Sequence, residues 1–433
     1  MQRFADGLSS MIRELFCALV LPYIVHGFPT SSLATRSNST ASEVSQSIRE
    51  TWKNPSDTLS ILLIIGGDVV LKALAQLSGR AVTPVAFSFG WVTYSFNTLM
   101  AVLGDGRLMP PPDYAAKVIN AKTGFVRDNR SWVLGRLFRD FKCPLEPNIS
   151  LIITVFEAAL PATTQTVPER DWYWWSGIIT MGLQLGLAAI PLGLYGDWTI
   201  LTMTSAGTLL SLATGALPQW HYEKWACRRK TNKIICITGG NGSRSVMVIF
   251  GAGVGLDLED LAGAESPMVN RRNNDVSAPS IFSPHNAFIF TQASCMLLAV
   301  LWIVFLITVT GMDQSAWYLL LVGGLGMVQN VVVAGAKRGI STSGIHLEKI
   351  EEFKGKKVMH SIMDLEEAYP TVGKPLLNEF FPNAGGLRPA EEKWWAGNKT
   401  EYEESRGERP QIRLSSRAAN LRKRHLEGPQ KNA

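Results

Sequence analysis

Six stretches of this chain are long and apolar enough to cross a bilayer: 58–78, 83–104, 174–195, 198–218, 287–310 and 316–335. A spanning helix needs about 20 mainly apolar residues, because the hydrocarbon core is roughly 30 Å thick. Five of the six contain no Asp, Glu, Lys or Arg. A helix uncharged on every face over this length is hard to bury in a water-soluble fold, and six of them harder still. Very short turns at 79–80, 195–198 and 311–314 join the stretches in pairs. The expected fold is therefore an all-α transmembrane bundle of six core helices. Its three hairpins are 58–104, 174–218 and 287–335, and a small cytosolic β/α portion and a partly disordered tail complete it.

Orientation follows from Lys and Arg, which concentrate in cytosolic loops. Loop 105–173 carries Arg107, Lys117, Lys122, Arg127, Arg130, Arg136, Arg139, Lys142 and Arg170. Loop 219–286 places Arg228, Arg229 and Lys230 close to a span, and the tail opens on Lys337 and Arg338. The opposite turns hold only Arg80. Trp172, Trp174, Trp175 and Trp220 mark one interface, and Tyr195, Trp198, Trp317 and Tyr318 the other. Both signals put the large loops and the carboxyl terminus in the cytosol. The five sequons, at Asn38, Asn129, Asn148, Asn241 and Asn398, then face the cytosol and are read as chance. Segment 1–57 holds an apolar run at 15–25 broken by Pro22, readable as a signal-like segment, a seventh helix or an uncleaved anchor.

The polar segments show weaker patterns. Residues 132–141 read as a basic amphipathic helix on the membrane surface. Runs 149–156, 233–238 and 245–250 read as strands, the last two forming a hairpin around the Gly/Asn turn 239–242. The first strand is expected to pair with that hairpin. In 336–390, apolar residues at helical spacing (Ile345, Leu347, Ile350, Phe353, Val358, Ile362, Leu365) suit amphipathic helices. Residues 391–433 read as a disordered basic tail, whose Arg422, Lys423, Arg424 and His425 could meet anionic lipid or simply stay solvated.

The bundle's one internal charged stripe is Asp68, Lys72 and Gln76, spaced to share one helix face. Ionisable groups at bilayer depth cost at least about 2.5 kcal/mol each, so they face the bundle interior. The stripe reads either as part of a substrate or proton path or, the preferred reading, as an ion pair that locks packing. Gly182 and Gly186, with Gly207, Ser211 and Gly215 on the next helix, suggest close helix packing. Gly251, Gly253 and Gly255 resemble a dinucleotide-binding turn, but Leu256 and the polar loop behind it break the pattern. Asp257, Glu259 and Asp260 form an acidic run with no second cluster to support a metal. The five scattered cysteines make neither a disulfide framework nor a zinc module. No catalytic, cofactor or metal residue is assigned, and no nucleic-acid partner is expected.

Several stretches resemble an uncharacterised family of fungal multi-pass integral membrane proteins. They are IIGGDVVLKALAQL (64–77), TPVAFSFGWVTYSF (83–96), GDGRLMPPPDY (104–114), LPQWHYEKWACRR (217–229), GLDLEDLA (255–262) and GGLGMVQNVVVAG (323–335). The resemblance implies a membrane topology over about 55–395 and a eukaryotic setting, and it supplies no activity. The sequence reading favours a non-enzymatic carrier or scaffold in a lipid bilayer. The alternative is a membrane-bound enzyme or accessory factor of a secondary-metabolite pathway. Whether a second copy or a pathway protein is a partner stays open at this level.

Overall fold

Among the described residues three helices combine the length and the apolarity needed to cross a membrane, and a six-stranded mixed sheet packs beside them. The computed structural model describes residues 65–104, 106–141, 147–159, 166–264, 284–311, 316–382, 387–406 and 415–427. Segment 1–57, with its apolar run and the seventh helix it could form, lies outside these residues, as do 58–64.

The all-α bundle of six spans is corrected by helix length. Helices α1 (Gly67–Leu77) and α2 (Trp91–Gly104) have 11 and 14 residues, about 16 and 21 Å at about 1.5 Å per residue. Neither reaches across roughly 30 Å of hydrocarbon. Between them 82–90 has no regular secondary structure, although 83–90 is buried throughout. Helix α4 (Trp172–Tyr195) has 24 residues and is long enough, whereas α5 (Thr199–Gly215) stops at 17. After the short helices α6 (Gln219–Lys224) and α7 (Leu258–Gly263), α8 (Pro284–Thr310) and α9 (Ala316–Gly335) supply the other two long apolar helices. Thus the apolarity of 83–90 records burial against neighbouring protein, whereas Phe96, Met100 and Leu103 of α2 stay exposed. Composition alone does not separate that from exposure to lipid.

The sheet runs in the order β2-β1-β5-β6-β3-β8. Its strands are β1 (Lys117–Asn120), β2 (Val126–Asp128), β3 (Leu151–Ala158), β5 (Ile234–Thr238), β6 (Ser245–Phe250) and β8 (Leu347–Gly355). Strands β4 (Arg229–Thr231) and β7 (Gly255–Leu256) pair separately. The β5–β6 hairpin forms as its Gly/Asn turn indicates, and β3 joins it in parallel, Ile153 opposite Val246. Strand β3 is flanked on its other side by β8, antiparallel. Side chains alternate between two cores. Met247, Ile249, Ile235 and Phe156 join a core continuous with Trp91 and Trp302 of the helices. Val246, Val248, Ile153 and Val155 face a second core with Ile362, Leu365, Tyr369 and Leu376. Burial on both faces explains why β3 and β6 read as unbroken apolar runs.

Helix α3 (Trp132–Phe141) has the expected span, but Trp132, Leu134, Leu137 and Phe138 lie in the shared core beneath the sheet. The amphipathic run after 345 divides into strand β8 and helix α10 (Val358–Ala368), followed by α11 (Lys374–Phe380). The tail expected to be disordered carries α12 (Pro389–Trp395), α13 (Thr400–Arg406) and α14 (Ser416–Glu427) among the described residues. Leu421 of α14 enters the second core. Arg424 pairs with Glu157 at 2.7 Å and Arg422 donates to the Glu367 carbonyl at 3.0 Å, so these cations hold the helix to the sheet layer.

Candidate functional site at the junction of helices and sheet

The irregular run 82–90 threads between α4, α5 and α9, and side-chain amides satisfy its backbone. Gln184 of α4, fully buried, donates Nε2 to the Phe87 carbonyl at 2.6 Å and to the Val322 carbonyl at 2.8 Å. Asn330 of α9 donates Nδ2 to the Ala86 carbonyl at 3.0 Å and to Ser88 Oγ at 2.8 Å. Thr83 Oγ1 donates to the carbonyl of Gly215 at 2.9 Å. Backbone polar groups away from water must find such partners, because an orphaned group costs as much as a lost hydrogen bond. Small residues make the room. A Cβ on Gly326 would stand 1.8 Å from the Phe87 oxygen, and one on Gly177 2.1 Å from the Pro84 oxygen. The Phe87 ring also stacks on Trp302 of α8, centroids 6.3 Å apart.

The small-residue stripes separate in this light. Gly207 lies against the Phe87 ring and Gly215 against Thr83, while Ser211 donates Oγ to the Gly207 carbonyl. On α5 the stripe therefore receives the irregular run. Gly182 and Gly186 of α4 are exposed, with nothing within 4 Å of where a Cβ would stand. The Asp68, Lys72, Gln76 stripe grades from an exposed Asp68 through a half-buried Lys72 to a buried Gln76. Among the described residues no salt bridge joins Asp68 to Lys72.

Past Gln76 the carbonyl end of α1 meets two buried cations that sequence reasoning did not single out as a site. Lys224, 3 % exposed, donates Nζ to the carbonyls of Ala75 at 2.9 Å and Ser78 at 2.7 Å. Arg338 donates Nη1 to the Gln76 carbonyl at 2.7 Å. Cations belong here, since a helix carboxyl end carries about half a negative charge and unsatisfied carbonyls. Arg338 also grips Asp171 with two hydrogen bonds, of 2.7 and 2.9 Å. Asp171 caps α4 by accepting from the Trp174 N–H at 3.0 Å. Arg139 of α3 donates to the Ala336 carbonyl beyond α9 at 2.7 Å, and Asp140 accepts from the Arg338 N–H at 3.1 Å. The ends of α1, α4 and α9 are thus tied together, and to α3, by one charged network. Burial, and then the charge of Arg338, draw the Lys224 pKa well below that of an ordinary lysine.

A small cleft opens within this network. Its lining includes Trp132, Arg136, Asp140, Lys224, Arg338 and Thr342. Beside it, Glu223 accepts from the N–H groups of Leu108 and Met109 at 2.7 and 2.8 Å and from the Gln219 amide. Burial raises its pKa; the hydrogen bonds oppose this. A carboxyl whose folded pKa is raised contributes stability below its unfolded pKa, and loses it as pH rises through the folded value. Glu223→Gln is therefore expected to remove a decline in stability beginning above about pH 4.3, where unfolded glutamate titrates. Gln219 Oε1, buried with no partner, can turn to accept from the new amide. Thermal melting of both proteins across pH checks this, and parallel pH profiles would contradict it.

The Gly251–Gly255 turn serves to return the chain to β7, and α7 behind it has 6 residues. The acidic run is answered by cations: Asp257 and Glu259 pair with Lys233 at 2.8 and 2.9 Å, and Asp260 with Arg228 at 2.5 Å. Among the described residues no group of three His, Cys, Asp or Glu stands ready for a metal.

Lys224 lies within LPQWHYEKWACRR, and Asp171 and Arg338 flank long apolar stretches. A charge adjoining a stretch boundary is the available signal, and of these three only Arg338 enters the orientation argument. Comparisons with protein-family models, with curated proteins and with solved structures find no match to this chain.

Proposed function

We propose that the protein is a multi-pass membrane carrier without enzymatic activity, in which the run 82–90 and the half-length helices on either side of it form the working element. One observation carries this reading: backbone without regular structure lies among the apolar helices, with its carbonyls held by Gln184 and Asn330. Irregular backbone at membrane depth is tolerated only where protein or a water-filled cavity surrounds it. Interrupted segments of this kind are also where carriers build substrate sites. In this reading α4 and α5 cross the membrane as one hairpin and α8 and α9 as a second, α5 with 17 residues being at the short end of what spans, and the sheet, the basic loops and the tail helices lie on the cytosolic side. The charged network favours a second reading, a scaffold that holds the sheet layer rigidly at the membrane surface.

Cysteine accessibility separates the two. Ser88→Cys is placed in the chain, reconstituted in sealed vesicles, and challenged with a membrane-impermeant thiol reagent from either side. Peptide mass spectrometry reads modification at position 88 alone. A carrier exposes the run alternately, so slow labelling from both sides is expected. Complete protection from both sides would remove the carrier reading and leave the scaffold.

A further inference from the structure

Arg136 is an anomaly within the charged network. The residue is 5 % exposed and its guanidinium lies over the Trp132 ring, 4.3 Å from the centroid. Nη2 pairs with Asp113 at 2.8 Å, but Nε and Nη1 are buried with no hydrogen-bond partner. Buried donors are normally satisfied, so each exception calls for a missing acceptor. Arg136 lines the same cleft as Lys224 and Arg338, together with the hydroxyl-bearing Thr342 and Ser343.

The network brings Arg136, Arg139, Lys224 and Arg338 together with Asp113, Asp140 and Asp171. The α1 carbonyls do not repel an incoming anion strongly, because Lys224 and Arg338 already cap them. Donors come from two directions, Arg136 on α3 and Arg338 in the segment after α9, since the N–H groups of Lys224 are taken by the carbonyls of Ala75, Gln76 and Ser78. A planar carboxylate meets one such fork, whereas a tetrahedral oxyanion accepts from several directions at once.

We propose that the cleft between α1, α3, α6 and residues 338–343 binds a phosphate group, with the free N–H groups of Arg136 as its main donors and the Arg338 guanidinium adding positive charge. The site is independent of whether the protein transports anything. The phosphate can come from a lipid headgroup, since the cleft lies at the ends of α4 and α9, or from a soluble phosphate monoester or free phosphate.

The full chain is purified in detergent and titrated with radiolabelled inorganic phosphate at constant ionic strength, with acetate and chloride as competitors. In parallel, its melting is compared in nanodiscs of phosphatidylcholine alone and of phosphatidylcholine with phosphatidic acid. Saturable phosphate binding that acetate does not displace assigns a soluble source. Stabilisation by phosphatidic acid without binding of free phosphate assigns the headgroup. In either arm Arg136→Gln is expected to weaken the effect at least tenfold. Arg136→Lys keeps the charge and the Asp113 pair, so it tests the same point should the glutamine variant fail to fold, and it too is expected to weaken the effect. No response of the wild-type protein in either arm overturns the proposal. So does displacement by acetate, or a response that Arg136→Lys leaves unchanged.

Discussion

Replacing Arg338 by Gln is expected to destabilise the protein by about 3–5 kcal/mol, the range for breaking one side of a buried ion pair. Its side chain is 4 % exposed and ends three interactions at once: two to Asp171 and one to the Gln76 carbonyl. Glutamine restores at most one of them. It leaves the Asp171 carboxylate without its cation and the α1 end held by Lys224 alone. Asp171→Asn is expected to cost less, because the amide oxygen still caps α4 through the Trp174 N–H. In the double variant no charge is stranded, so its loss should fall short of the sum of the single losses. Thermal melting of detergent-solubilised protein measures all three. Strict additivity would mean that the two side chains do not act as a pair.

The second large effect comes from one methyl group. Gly326→Ala puts a Cβ 1.8 Å from the Phe87 oxygen and 2.6 Å from Gln184 Nε2. The oxygen is backbone and already accepts from Gln184, so it cannot swing aside as a side chain would. Overpacking typically costs 1–3 kcal/mol, and a clash with fixed backbone belongs at about 3 kcal/mol or above. Gly182→Ala is the matched control, because nothing lies within 4 Å of its Cβ position. It replaces a helix-interior glycine by alanine and should stabilise by up to about 1 kcal/mol. Size-exclusion profiles and melting temperatures of the two variants should move in opposite directions. Equal behaviour would show that 82–90 does not pack against α9 as described.

The two substitutions also show how far the chain could be read without its fold. Gly182 and Gly186 carry the more familiar spacing, yet they face outward. Gly326 and Gly177 stand in no G-x-x-x-G spacing, and they are where the close approach happens. Spacing reports which residues share a helix face; it does not report what lies opposite that face. The same gap explains Asp68 and Lys72. They share a face by spacing, but the charges that shape the site are Lys224, Arg338 and Asp171, brought together from 217–229, the end of α9 and the start of α4. Arg136 was visible only as one more basic residue of a loop.

Local regularities were legible where a single segment decides them. Apolar length marked α4, α8 and α9, β-branched runs marked β3, β5 and β6, and the Gly/Asn turn marked the hairpin. Strand β8 was hidden because apolar residues three apart, Leu347, Ile350 and Phe353, fit a helix, while its pairing with β3 carries a register shift. The polar composition of the tail predicts disorder, whereas a few anchors such as Leu421, Trp394 and Tyr402 suffice to dock short helices.

By itself, the sequence determined that several long segments must leave water, since apolar runs of that length have no other stable place. Whether each such segment would face lipid or neighbouring protein was decided only by tertiary structure. Both surroundings accept the same side chains; they differ in whether a neighbour can reach the backbone. Gln184 and Asn330 reach it at 82–90, so an apolar run counted as part of a span became an irregular segment held inside the bundle.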